Sequence, residues 1–219
     1  MTDFIPPPAD CQLCPRLADL RQRCRRQEPT WHNAPVDPFG DILAGILIVG
    51  LAPGLRGANR TGRPFTGDSA GGYLFAMLKR YGLASGRYRE DGLDDIRLHG
   101  VRITNAVRCL PPGNKPVAAE VNSCRPYLEA EITSMPNLET IVTLGRLAHE
   151  ATVRSFGLRP AVVPFGHGAQ HDVAVKTRTV RFVSSYHCSR YNTQTGRLTD
   201  DMFADIFRTV MGRREPGGA

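Results

Sequence analysis

Apolar positions along this chain follow two different rhythms. Continuous runs such as ILAGILIV (42–49), VRITNAV (101–107) and ETIVTLG (139–145) read as strands buried on both faces. AVVPF (161–165), DVAVKT (172–177) and VRFVSSY (180–186) are three further strand candidates. Between these runs the spacing changes to three and four. Leu17, Leu20 and Cys24 predict a helix starting near Pro15, and Tyr73, Leu74, Met77, Leu78 and Tyr81 predict one over 69–80 that stops at Gly82. Helices are also predicted over 117–134, 145–156 and 198–211, the last capped by Thr199 or Asp200. Strands that alternate with helices predict a three-layer α/β/α sandwich around a mainly parallel sheet. No repeat and no linker interrupts the pattern. A single domain over 1–219 is expected, with an extended, poorly ordered proline-rich lead-in (1–10) and a frayed tail (213–219). In such sheets ligands collect at the carboxyl ends of strands. The loops after Val49, Ile103 and Tyr186 are therefore the candidate sites.

Composition narrows the chemistry. Of 219 residues 41% are hydrophobic, enough for a substantial core, and the net charge of +7 favours a polyanionic partner without establishing one. No apolar run approaches the roughly 18–20 residues of a membrane span. The start MTDFIPPPAD has neither a basic nor an apolar leader region, so a cytoplasmic protein is expected. In that compartment six cysteines are not expected to form structural disulfides. Cys11 and Cys14 form C-x2-C, and Cys109 and Cys124 form C-x14-C. Four thiolates can close a tetrahedral zinc site or hold a 4Fe-4S cluster, and spacing does not choose between them. Cys24 reads as a buried small residue on a helix, and Cys188 as a tolerated small residue.

After the first strand comes GLAPGLRGANRTGRPFTGD (50–68). A backbone this bare lets a ligand approach the main chain, and its N–H groups can hold an anion near a helix start. Neither GxxxxGK followed by Ser or Thr nor GxGxxG is present, so a nucleoside triphosphate or dinucleotide site is not supported. Asp68 reads two ways, as the N-cap of the helix over 69–80 or as a catalytic carboxylate at the open edge of the sheet. Phe65 reads as a core aromatic or as a stacking face, and Asn105 as a backbone partner or as a ligand-reading amide.

This stretch closely resembles the first motif of the uracil-DNA glycosylase superfamily in its family 5 form. The strand ITNAVRC, the loop HCSRYNTQTGRLT and the four spaced cysteines agree with it, so the resemblance runs from Cys11 to about Thr199. It implies a monofunctional glycosylase that flips uracil out of DNA and cuts its glycosidic bond to start base excision repair; a monomer is expected, since nothing in the sequence suggests an extensive self-association face. Asp68, Asn105 and His187 would be catalytic. Gly50, Ala52, Pro53, Gly54, Phe65, Asn105 and His187 would form the base pocket. Arg56, Asn59, Arg60, Arg63, Ser189, Arg190, Tyr191 and Asn192 would contact DNA. Cys11, Cys14, Cys109 and Cys124 would hold a 4Fe-4S cluster. Better-known relatives carry Asp or Asn where this chain has Ala52, which moves the catalytic expectation to Asp68. Uracil-restricted relatives carry tyrosine at the position of Gly54, so a roomier pocket that also takes other deaminated or modified bases is expected. The competing reading is a non-catalytic iron–sulfur DNA-binding protein or redox sensor.

Overall fold

The computed structural model describes residues 4–175 and 178–212. In chain order its elements are α1 (Pro15–Gln27), β1 (Ile46–Gly50), α2 (Ala58–Thr61), α3 (Ser69–Arg80), β2 (Ala84–Ser85), β3 (Arg97–Leu98), β4 (Val101–Asn105), α4 (Ala118–Ser134), β5 (Thr140–Leu144), α5 (Arg146–Ser155), β6 (Gln170–Val175), β7 (Arg178–Ser185), α6 (Arg190–Gln194) and α7 (Asp200–Met211). The main sheet has the order β4-β1-β5-β7-β6. Its first four strands pair in parallel, and β6 adds an antiparallel edge. The unbroken apolar runs follow from this position, because both faces of β1 are covered. Ile46 and Ile48 pack with Leu74, Phe75, Phe203 and Phe207 of α3 and α7, while Leu47 and Val49 pack with Leu128, Ile132 and Ala151 of α4 and α5. The expected three-layer α/β/α sandwich is the fold observed.

Some boundaries and elements differ from the sequence reading. The first apolar run does not enter the sheet until Ile46, since Asp41 turns the chain by accepting hydrogen bonds from the Leu43 and Ala44 N–H groups. AVVPF is not a strand. Pro160–Val162 forms a 3-10 turn in which the Val163 N–H bonds to the Pro160 carbonyl, and Pro164 has no N–H to offer a ladder. Residues 4–10 are held rather than loose. Pro7 is buried, Asp10 pairs with Arg25 at 2.5 Å, and the Phe4 ring lies under the guanidinium groups of Arg102 and Arg108. The tail at 213–219 and the last two positions of the 172–177 strand candidate lie outside the described residues.

The small β2–β3 hairpin and the loop joining it brace the glycine-rich segment, and they account for Arg63. Its guanidinium makes a bidentate pair with Asp94 at 2.7 and 2.6 Å, donates to Thr66 Oγ1 at 2.8 Å, and sits against the rings of Phe39, Phe75 and Tyr88. An arginine committed in this way cannot reach out to a phosphate, so the sequence reading of Arg63 as a DNA contact is corrected. Its hydrogen bonds and charge hold the Asp94 carboxyl down at about 2, from an ordinary 3.8. That difference corresponds to about 2 kcal/mol of folding stability. A depressed carboxyl contributes fully above its unfolded value and loses its contribution as pH falls through the folded one. Asp94→Asn is therefore expected to lower stability by about 2–3 kcal/mol near neutral pH. The gap to the wild type should close between about pH 4 and pH 2. Denaturant melts at several pH values measure this, and a gap that stays constant with pH would assign the loss to packing instead.

Candidate active site

The carboxyl ends of β1 and β4 and the turn after β7 surround a cavity of about 350 Å³. Gly50 ends β1 opposite Asn105, which ends β4. A Cβ at position 50 would lie 2.6 Å from Asn105 Oδ1 and 2.7 Å from the Phe65 ring, so this glycine lets amide and ring close over the strand end. Phe65 itself has φ +52°, in the left-handed region. It is held there by Tyr88, whose hydroxyl donates to the Phe65 carbonyl at 3.5 Å and accepts from the Gly67 N–H at 3.4 Å. Gly71 leaves the space for that carbonyl, since a Cβ there would stand 1.9 Å from it.

Asp68 is the N-cap that the sequence offered, and it also lines the cavity. Its Oδ1 accepts from the Gly71 N–H at 3.0 Å and caps α3. Its Oδ2 lies against the backbone of the opposite turn, 2.7 Å from where a Cβ on Gly57 would stand and 3.5 Å from one on Gly54. The cap thereby fixes a carboxylate in the cavity wall. His187 faces Phe65, with ring centroids 6.1 Å apart and 28° between planes. Burial lowers its pKa below the ordinary 6.5 and the Asp68 carboxylate partly opposes the shift, so the imidazole is neutral at pH 7. The Asn105 side chain is 4% exposed and, among the described residues, spends neither amide group on a protein partner. Ala52, Pro53 and Gly54 line the cavity as expected, and Ser189, expected as a DNA contact, lines it as well.

Asn114 also lines this cavity and was missed. It lies in the turn PPGN, with φ +58° after Gly113 at +61°. The only available signal was an Asn after a Gly, which marks a turn and says nothing of where the turn points.

The expected DNA contacts divide. Arg56, Arg190 and Tyr191 are exposed, Tyr191 by 70%. Arg60 is half-buried and donates to the carbonyls of Arg56 and Glu90. Asn59 is corrected, because it is 2% exposed and its amide donates to Asn33 Oδ1 at 2.8 Å. Asn192 is corrected too. Its amide donates to the His187 carbonyl at 2.8 Å, and its N–H bonds to Ser189 Oγ at the start of α6. It shapes the turn that presents His187 instead of filling a gap in the duplex.

Cys11, Cys14, Cys109 and Cys124 line a second, smaller void between α1, α4 and the segment after β4. Burial raises the thiol pKa of Cys14 and Cys124 and pushes Cys109 up to about 12, with the neighbouring sulfurs adding to the shift at Cys14 and Cys109. Among the described residues no three His, Cys, Asp or Glu side chains close on a single ion. The four sulfurs line one shared space, a soft donor set that fits zinc or an iron–sulfur cluster. Cys24 and Cys188 are buried elsewhere, and the Cys188 thiol donates to the Ala70 carbonyl at 3.6 Å.

Residues 38–210 match the family described as the Uracil DNA glycosylase superfamily. This chain belongs to that superfamily. It is 46% identical over 209 residues to the type-5 uracil-DNA glycosylase of Thermus thermophilus, covering 93% of both chains. It is 42% identical over 207 residues to the type-5 uracil-DNA glycosylase of Mycobacterium leprae, covering 90% of this chain and 89% of that one. A type-4 uracil-DNA glycosylase of Archaeoglobus fulgidus is 35% identical over 185 residues, with 83% and 84% covered. No helix among the described residues is long and apolar enough to cross a membrane.

The two glycines facing Asp68 give a paired test. In Gly57→Ala the new methyl meets Oδ2 at 2.7 Å and must displace the carboxylate, whereas in Gly54→Ala it makes an ordinary 3.5 Å contact. Gly57→Ala should slow uracil release about 10²-fold, the scale of a misplacement near 1 Å, while Gly54→Ala stays within about threefold of the parent. Single-turnover rates on a uracil-containing duplex check this, with thermal melts to confirm that both variants fold. Equal rates would mean that the placement of Asp68 does not limit the reaction.

Proposed function

We propose that the chain is a monofunctional DNA glycosylase that excises uracil, and other deaminated or modified bases of similar shape, from DNA. The observation that carries this reading is the convergence of Asp68 Oδ2, Asn105, Phe65 and neutral His187 on one cavity at the open end of the sheet. A base turned out of the duplex stacks on Phe65. The free Asn105 amide donates to O4 of uracil and accepts from N3–H, a pattern cytosine reverses. Arg56 and Arg190 lie exposed where the DNA backbone would pass, and the exposed Tyr191 ring occupies the place of the departed base.

The bond between C1′ of the sugar and N1 of the base breaks with its electron pair leaving on the base. His187 donates an N–H toward O2, where that negative charge accumulates. Asp68 stabilises the cationic sugar and takes the proton of the water that adds at C1′. The products are an abasic site and the base anion, which is protonated from solvent as Asp68 returns its proton to solvent. Small residues at 52 and 54 in the pocket wall support acceptance of bases larger than uracil.

Cys11, Cys14, Cys109 and Cys124 would hold a 4Fe-4S cluster as thiolates. When bound, the cluster supplies iron–sulfur bonds that cross-link the N-terminal segment, α4 and the chain just after Asn105. The chemistry above requires no electron from it.

The deciding experiment incubates the protein with a uracil-containing duplex and then cleaves abasic sites with hot alkali. Uracil-dependent strand breaks are expected. Tight binding without breaks would leave only a DNA-binding or sensing role. Asp68→Asn should lower the single-turnover rate roughly 10²–10⁴-fold while duplex binding persists. A near-parental rate would move the role of Asp68 to another group. The lowered pKa of His187 makes a separate prediction. The rate should stay flat as pH falls from about 8 to the ordinary histidine value of 6.5. A break centred above 6.5 that disappears in His187→Gln would show that the protonated ring is the working form.

A further inference from the structure

Two buried guanidinium groups line the cysteine void and keep N–H groups that no protein atom among the described residues receives. Arg21 of α1 is 3% exposed and Arg108, beside Cys109, is 0% exposed. Arg21 Nη2 donates to the Cys11 carbonyl at 2.7 Å and its Nη1 lies 3.6 Å from Cys109 Sγ, but Nε has no partner. Arg108 gives Nη2 to Glu131 and its backbone N–H to Cys124 Sγ at 3.4 Å, while Nε and Nη1 have none. The surrounding carboxylates do not balance these charges. Glu131 is shared with Arg102, Asp10 is exposed and paired with Arg25, and Glu120 is paired with Arg16. A buried cation whose donors go unmet is strongly unfavourable, and such groups are found where an anion completes the site.

We propose that Arg21 and Arg108 are the charge partners of the group held by the four cysteines. Their unspent N–H groups are donors to its sulfur atoms, and their charge holds it in its more reduced form. This rests on the iron–sulfur reading of Cys11, Cys14, Cys109 and Cys124. A cubane core bound by four thiolates is a net anion with sulfur lone pairs on every side, and its potential rises with nearby positive charge and hydrogen bonds to sulfur. Arg108 also carries the effect outward. Glu131 accepts from Arg108, from Arg102 Nε at 2.6 Å and from Thr104 Oγ1 at 2.9 Å, and Thr104 precedes Asn105. Both arginines are positioning residues that do not touch the base or the sugar.

The test uses the cluster-loaded protein and the variants Arg21→Gln, Arg21→Lys and Arg108→Gln. Iron and acid-labile sulfide are counted in every preparation, and the potential of the cluster's one-electron couple is titrated. Arg21→Gln, with iron and sulfide equal to the parent, should show a tenfold lower reduced-to-oxidised ratio at fixed potential, about 59 mV more negative, and faster bleaching in air. Arg21→Lys, which keeps the charge, should recover most of the shift. If Arg108→Gln fails to fold, the Arg21 pair decides alone. Potentials and bleaching rates equal to the parent in both Arg21 variants, with the cluster intact, overturn the proposal. A parent protein that contains zinc and no sulfide overturns the iron–sulfur reading instead. The same variants are then compared for metal loss to a chelator, and unchanged loss in Arg21→Gln sinks the arginine role as well.

Discussion

The end of β1 has no room for a side chain, and the pocket is built on that fact. The parallel register sets Gly50 beside Asn105, and any Cβ at position 50 would collide with both the Asn105 amide and the Phe65 ring. Bringing an aromatic face and an amide together over a strand end requires this bare backbone. It also requires Phe65 to sit at φ +52°, a conformation that costs a bulky residue about 1–2 kcal/mol. The cost is met by neighbours, namely the Tyr88 hydroxyl on the Phe65 carbonyl, the gap left by Gly71, and the Asp68 cap that starts α3 in the next turn. Strain of this kind persists only where the surroundings over-determine it, and it collects at functional sites.

Much of the pocket was legible because its residues break the local pattern. A glycine follows an apolar strand, an aspartate precedes an apolar helix, and an asparagine and a histidine stand where strands run out. The layers were legible from the regular pattern itself, unbroken apolar runs for strands and steps of three and four for helices. The unread parts depend on partners far away in the chain. Arg63 looked like a phosphate contact until Asp94, 31 residues on, was seen to hold it. Asn59 is fixed by Asn33, 26 residues earlier. Asn114 joins the cavity through a turn whose sequence gives a shape and no direction. AVVPF has strand-like composition, and the prolines around it decided otherwise.

Several of the arginines are spent on partners within the protein. Arg63 braces the Asp68 loop, Arg102 and Arg108 converge on Glu131, and Arg178 donates to the carbonyls of Ile132, Met135 and Pro136 at the end of α4. A net charge of +7 is therefore a poor measure of the surface offered to DNA. Of the arginines expected at the interface, Arg56 and Arg190 remain exposed and Arg60 only half so. Fewer phosphate contacts mean a weaker salt dependence than the composition implies, and leave more of the binding to the extruded base itself.

The two walls of the pocket are supported by unrelated means. The Phe65–Asp68 wall is held locally by turn glycines, a helix cap and the Tyr88 hydroxyl. The Asn105 wall depends on α4, a single helix that carries Glu120, Cys124 and Glu131. Glu120 accepts from the Val117 N–H and pairs with Arg16 of α1 at 2.7 Å; Cys124 lines the cysteine void; Glu131 receives Thr104 and both buried arginines. Whatever stiffens the cysteine region thus stiffens the strand that presents Asn105, the base-reading side in the proposed function, and leaves the Asp68 side untouched. On the proposed roles, recognition of the base and cleavage of its bond are anchored in different parts of the chain, so a loosened cysteine region should blur which base is accepted before it slows the cutting of the right one.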